Sequence, residues 1–140
     1  AAVARQFCRT VLAKFGVEVT TDDGSAGRQG LVTLAVDELI EDAGVVYACG
    51  PMPMLRAVAA AATAAGLPSY VAVEEAMACG IGVCMTCVMP VVGTDGRTRM
   101  ARSCVEGPVF RGDRVRWDAF GSGWGRVPDD AVGAPRTGGH

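Results

Sequence analysis

An α/β fold with a parallel sheet, followed by a small cysteine-rich domain, is the architecture expected of this 140-residue sequence. Three features point to it. Helix-like and strand-like segments alternate through the first half. Cys79, Cys84, Cys87 and Cys104 crowd together, whereas Cys8 and Cys49 stand apart. The charge changes sign at the same place: residues 1–78 carry five basic and nine acidic residues, residues 79–140 eight basic and six acidic. The length suits one average domain or two small ones.

Residues 3–15 place Phe7, Val11, Leu12 and Phe15 at helical spacing, with Gly16 as the stop. Cys8 on that helix reads as a small buried hydrophobe. Residues 17–21 form a short β-branched strand, ended by the turn-rich Asp22-Asp23-Gly24-Ser25. Residues 31–40 read as a second helix with Leu31, Leu34, Ala35 and Leu39 on one face. The continuous apolar run 45–49 predicts a strand buried on both faces. Gly50-Pro51 opens a third helix to about Ala65, with Met54, Leu55, Val58 and Ala62 inward, and 69–74 returns as a strand. Strand, helix, strand, helix, strand gives a parallel sheet. After Cys87, residues 88–92, the turn 93–96 and residues 97–103 read as a hairpin. The stretch 121–140 holds six glycines, two prolines and few apolar residues, and is expected to be a disordered tail.

Composition removes several classes of function. Half of the residues are hydrophobic and the net charge is −2, which excludes a disordered chain and gives no footing for nucleic acid. No apolar run approaches the ~18 residues of a membrane span. The chain opens Ala-Ala-Val-Ala-Arg, without an initiator Met or a signal segment, as a piece of a longer protein would. Nothing in it marks a secreted protein, and a cytoplasmic location is expected.

Cys79, Cys84, Cys87 and Cys104 form the pattern C-x4-C-x2-C-x16-C, the plant-type spacing for a [2Fe–2S] cluster. Two irons need four thiolates, and a tight loop can wrap three of them while the fourth is expected to arrive from a separate strand. Such a loop turns its N–H groups towards the sulfurs, and Gly80 and Gly82 make that turn inexpensive. A four-cysteine zinc site is the first alternative, although only Cys84 and Cys87 form a C-x2-C knuckle. Two disulfides, or unrelated buried cysteines, are the others.

Cys49, Gly50, Pro51 and Met54 lie where a strand ends and a helix begins, the place where open α/β sheets receive anionic ligands. Asp22, Gly24 and Ser25 occupy the same end of an earlier strand, where an acidic side chain can accept ribose hydroxyls of a dinucleotide such as NAD. Read without other information, both segments are equally ordinary turns, and no G-x-G-x-x-G occurs.

Strand-Cys49-Gly50-Pro51-x-x-Met54 resembles the nicotinamide-side motif of the ferredoxin–NADP reductase superfamily, and Thr21-Asp22-Asp23-Gly24-Ser25-x-Gly27-x-x-Gly30-x-Val32-Thr33 looks like one branch of it. Residues 74–87 and Cys104-Val105-Glu106-Gly107-Pro108-Val109-Phe110 complete a resemblance, over about 17–118, to the electron transfer subunit of class 1B, NAD-dependent dihydroorotate dehydrogenase. The resemblance implies a partial, truncated ferredoxin-reductase-type NAD-binding domain at 1–76 and a [2Fe–2S] cluster domain at 77–120. It implies that Cys79, Cys84, Cys87 and Cys104 hold the cluster. Asp22, Gly24 and Ser25 would line the adenosine side of NAD, and Cys49, Gly50, Pro51 and Met54 the nicotinamide side. Electrons would pass in pyrimidine biosynthesis from FMN in a separate catalytic subunit, through the cluster and FAD, to NAD⁺. The family's flavin-binding β-barrel and glycine-rich loop have no counterpart here. FAD is therefore expected to be held mainly elsewhere, and these 140 residues alone to be inactive.

Two rivals stand beside this reading. One is the small subunit of a flavin-based NADH/ferredoxin transhydrogenase or sulfide dehydrogenase; transhydrogenase relatives can carry an acidic residue where this chain has Cys79. The other is a zinc-stabilised interaction module with no redox role. The six arginines between Arg97 and Arg116 read as a solvated surface, with docking to an acidic partner face as the alternative. No role is expected for His140, the single histidine.

Overall fold

A computed structural model describes residues 16–120 and 127–133. The expected helix at 3–15, with Cys8, and His140 lie outside the described residues. The chain divides into two units, Ala1–Leu39 and Ile40–His140.

In the first unit the two-residue strands β1 (Thr20–Thr21) and β2 (Arg28–Gln29) pair in parallel, and α1 (Thr33–Leu39) follows. The loop between the strands closes on itself. Thr21 Oγ1 donates to the Ala26 carbonyl at 2.9 Å and accepts from its amide at 3.2 Å, while the Gly24 and Gly30 amides donate to the Thr21 carbonyl. Gly27 has φ +67°, and a Cβ there would collide with the Val19 carbonyl oxygen, so only glycine fits. Of the face expected on the second helix, only Ala35 is buried; Leu31, Leu34 and Leu39 are exposed.

The second unit begins with a 3-10 turn at Ile40–Asp42. Strand β3 (Val46–Cys49), helix α2 (Met52–Ala64) and strand β4 (Ser69–Ala72) follow, and β3 pairs with β4 in parallel. On α2, Leu55, Val58, Ala59 and Ala62 are buried, close to the inward face read from periodicity. The structure corrects one expectation for β3. This strand stands at one end of a three-stranded sheet in which β4 is its one partner, and Tyr47 is 74% exposed with its ring stacked 5.3 Å from Tyr70. An unbroken apolar run therefore does not require burial on both faces when the strand stands at the end of its sheet and its aromatic ring stacks on a neighbour.

Beyond the cysteine loop, β5 (Val88–Val92) and β6 (Thr98–Arg102) form the expected antiparallel hairpin. A short helix α3 (Ser103–Glu106) follows, and β7 (Val109–Arg111) returns to pair with β4, Val71 opposite Phe110. The sheet is thus mixed, with one parallel and one antiparallel pairing. The core gathers Leu55, Ala59, Val71, Val73, Met89, Phe110 and Val115, so residues on both sides of the cysteine loop share one apolar interior. Burying side chains such as Leu55 and Phe110 contributes roughly 1.5–3 kcal/mol each.

The expected disordered tail at 121–140 requires correction over residues 127–133. Ala131 is buried and bridges to Thr98, the Val132 amide donates to the Thr98 carbonyl at 2.8 Å, and Asp130 accepts from the Thr98 hydroxyl and from Arg116. Glycine-rich composition concealed an anchor that depends on two distant side chains. Residues 121–126 and 134–140 lie outside the described residues. Among the described residues no helix is long and apolar enough to cross a membrane.

Candidate metal centre and dinucleotide-binding loops

The cysteine loop runs between β4 and β5. Three left-handed residues bend it: Gly80 (φ +67°), Gly82 (φ +82°) and, as the one non-glycine among the described residues, Met85 (φ +58°). A Cβ on Gly82 would lie 2.6 Å from Val105 Cγ2, so the loop approaches α3 closely there. Cys87, 2% exposed, closes the loop at the start of the hairpin. Cys84 is exposed, and Cys79 and Cys104 are half-buried.

The hairpin returns the fourth cysteine. With Val88 paired to Arg102, the Ser103 amide donates to the Cys87 carbonyl at 3.0 Å, and the Cys104 amide to Cys87 Sγ at 3.5 Å. Cys104 itself sits on α3, not on a strand. A helical turn right after β6 turns its N–H groups back towards Cys87, a detail that strand periodicity could not reveal.

The amide of Cys84, then that of Ile81, the Cys84 side chain and the Val83 amide lower the Cys79 thiol from its ordinary value to about 6. Cys87 is lowered, chiefly by the Cys104 amide, while its partner Cys104 is raised by the Cys87 side chain. Thr86 donates its hydroxyl to Cys84 Sγ at 3.1 Å. Cys87 and Cys104 thus stand against each other, by the hydrogen bond and by their opposite shifts. Among the described residues no three His, Cys, Asp or Glu side chains close on a single ion position. Soft thiols on one loop and the hairpin end, met by the Cys104 amide at Cys87 and the Thr86 hydroxyl at Cys84, fit an iron–sulfur group.

The arginines of this region are mostly matched within the chain. Arg99 pairs with Asp95, Arg102 with Glu106, Arg111 with Asp113, and Arg116 with both Asp118 and Asp130. This pattern fits the reading of a solvated surface. Arg102 carries more than its place in the group predicted, because its Nη1 also donates to the Gly82 carbonyl at 3.2 Å.

The dinucleotide candidates lie on two loops, one in each unit. Around Asp22, Gly24 and Ser25, the Ser25 amide donates to Asp23 Oδ1 at 2.9 Å, and this bond foremost holds the Asp23 carboxyl below its ordinary value. Gly24 adopts φ +70°. In the other loop, Cys49 ends β3 and is exposed, and Gly50 takes φ +147°. A Cβ on Gly50 would lie 2.7 Å from Met54 Cε, which ties the turn to the first turn of α2. Pro51 caps α2 without a side-chain hydrogen bond.

Residues 74–116 match the family model described as the iron-sulfur cluster binding domain of dihydroorotate dehydrogenase B. The chain is 44% identical over 99 residues to the dihydroorotate dehydrogenase B (NAD(+)) electron transfer subunit of Caldanaerobacter subterraneus subsp. tengcongensis, a match covering 71% of this chain and 40% of that protein. It is 42% identical over 113 residues to the subunit of the same name from Bacillus caldolyticus, covering 80% of this chain and 42% of that one. The likeness is to dihydroorotate dehydrogenase B electron transfer subunits. The chain spans about two fifths of the length of these dihydroorotate dehydrogenase B relatives. A solved structure described as an NADH-dependent reduced ferredoxin-NADP oxidoreductase, in a report on flavin-based electron bifurcation, superimposes with a TM-score of 0.60 at 37% identity. That match covers 72% of this chain and 35% of the other.

Proposed function

We propose that this chain is the cluster-bearing part of a dihydroorotate dehydrogenase B electron transfer subunit, with Cys79, Cys84, Cys87 and Cys104 as the ligands of a [2Fe–2S] cluster. The observation that carries the reading is the return of Cys104 to Cys87, whose sulfur accepts from the Cys104 amide at 3.5 Å beside a loop bent by left-handed Gly80, Gly82 and Met85. When bound, the cluster supplies one-electron transfer. The chain's own residues hold the thiolates, partly neutralise their charge through N–H groups, and shield Cys87 within the protein. Thiolate ligands need a compartment that keeps cysteines reduced, which fits a cytoplasmic location.

The complete reaction is part of the same proposal. The cofactors, when bound, would carry electrons of dihydroorotate from the FMN of a catalytic subunit through the [2Fe–2S] cluster and FAD to NAD⁺, in pyrimidine biosynthesis. The residues proposed for the adenosine side of NAD are Asp22, Gly24 and Ser25, and those proposed for the nicotinamide side are Cys49, Gly50, Pro51 and Met54. FAD is held mainly by residues beyond these 140, so the chain by itself is an inactive oxidoreductase component with a truncated ferredoxin-reductase-type nucleotide-binding domain. The test is anaerobic reduction of the complete complex: dihydroorotate is expected to bleach the visible absorbance of the cluster. The structural likeness to a ferredoxin-NADP oxidoreductase favours a second reading as a transhydrogenase small subunit. Bleaching by NADPH or reduced ferredoxin, with no response to dihydroorotate, would select it.

A further inference from the structure

Arg102, at the end of β6, reaches across to the cysteine loop. Its Nη1 donates to the Gly82 carbonyl at 3.2 Å, and a Cβ on Gly82 would lie 3.4 Å from that same nitrogen. Glu106 on α3 fixes the arginine from the other side: its Oε2 accepts from the Arg102 amide at 2.6 Å and from Nε at 3.4 Å. The carbonyl of Gly82 and the N–H of Val83 belong to one planar peptide unit and point in opposite directions. Val83 lies next to Cys84 in the loop between Cys79 and Cys87.

We propose that Arg102 is a positioning residue for the cysteine centre: by donating to the Gly82 carbonyl it fixes the Gly82–Val83 peptide with its N–H turned away from the arginine, within the cysteine loop, and its charge, tempered by Glu106, favours the reduced centre. The proposal rests on the reading of the four cysteines as cluster ligands. Reduction adds one negative charge, so oriented N–H dipoles and a neighbouring cation raise the reduction potential. A planar guanidinium serves Glu106 and the Gly82 carbonyl together, whereas a lysine ammonium keeps the charge without that fork. Glu106 acts in the opposite sense, since removing its charge leaves the arginine unopposed.

The experiment is a redox titration, followed by visible and paramagnetic resonance spectra, of the complete protein carrying Arg102→Gln, Arg102→Lys or Glu106→Gln. Arg102→Gln is expected to shift the reduction equilibrium about tenfold against the reduced state, ~59 mV for one electron. Arg102→Lys is expected to recover more than half of that shift, and Glu106→Gln to move it the other way. An intact cluster at unchanged potential in Arg102→Gln, or the full loss shared by Arg102→Lys, would overturn the proposal. If Arg102→Gln retains no cluster, Glu106→Gln decides, and an unchanged potential there overturns it. A parent protein with no cluster would end the ligand reading itself, a different outcome from an intact cluster at an unaltered potential.

Discussion

The amide of Cys104 donates to the sulfur of Cys87 at 3.5 Å although the two residues lie 17 positions apart. The β5–β6 hairpin makes this contact, since its last pair, Val88 with Arg102, leaves Cys87 and Ser103 side by side. The x16 spacing is therefore a structural length: out along one strand, around a turn, back along the other, and one step into α3.

Replacing Cys84 by Ser is expected to lower bound iron and acid-labile sulfide severely, because one of four thiolates is lost. Cys49→Ser, at the exposed end of β3, is expected to leave both unchanged. Elemental analysis of anaerobically isolated variants checks the pair. Equal iron in the two would mean that the ligands are assigned wrongly.

Gly82→Ala confronts two obstacles at once. The left-handed backbone costs about 1–2 kcal/mol for a residue with a Cβ, and the added carbon falls 2.6 Å from Val105 Cγ2. A lower unfolding midpoint and faster loss of the visible cluster absorbance are expected. Gly96→Ala is the control, since nothing lies within 4 Å of its Cβ position and its φ of +74° incurs the backbone cost alone.

Leu55 is fully buried in the core that joins α2, β4, β5 and β7. Leu55→Ala is expected to destabilise by about 2–5 kcal/mol, read from denaturant unfolding. Because the cysteine loop is flanked by β4 and β5, cluster retention should fall with it. Unaltered stability would mean that the two sides do not share this core.

The anchoring of residues 127–133 should depend on pH. The Thr98 hydroxyl first and Arg116 second hold the Asp130 carboxyl below its ordinary 3.8, and Arg116 first holds Asp118 below the same value, with Arg56 a distant contributor. A carboxyl whose folded pKa is depressed stabilises above its unfolded value and loses that contribution as pH falls through the folded one. Exchange of the Val132 amide, corrected for intrinsic rate, is expected to accelerate below about pH 3.8. Asp130→Asn should show the faster exchange already at neutral pH. Identical protection in the variant and the parent would show that Asp130 does not hold this segment.

Local pattern made much of this architecture legible. The apolar spacing of Leu55, Val58 and Ala62 gave the inward face of α2, and the turn at Gly93-Thr94-Asp95-Gly96 gave the hairpin. Spacing alone marked the four cysteines. What escaped depends on contacts between residues far apart in sequence. Three residues, Val109–Arg111, were too short to read as a strand until β4 supplied a partner. Asp130 looked like any acidic residue in a glycine-rich stretch until Thr98 and Arg116 met it. Arg102 was one of six arginines, and its bond to the Gly82 carbonyl has no sequence signature.

The most direct test of the central claim is the iron and acid-labile sulfide content of the anaerobically purified protein, taken with its visible spectrum. Two irons and two sulfides per chain, with a red-brown absorbance bleached by dithionite, are the expected result for a [2Fe–2S] cluster on four cysteines. One zinc per chain, or no metal under conditions that protect clusters, would contradict the redox account and leave a cysteine-stabilised interaction module.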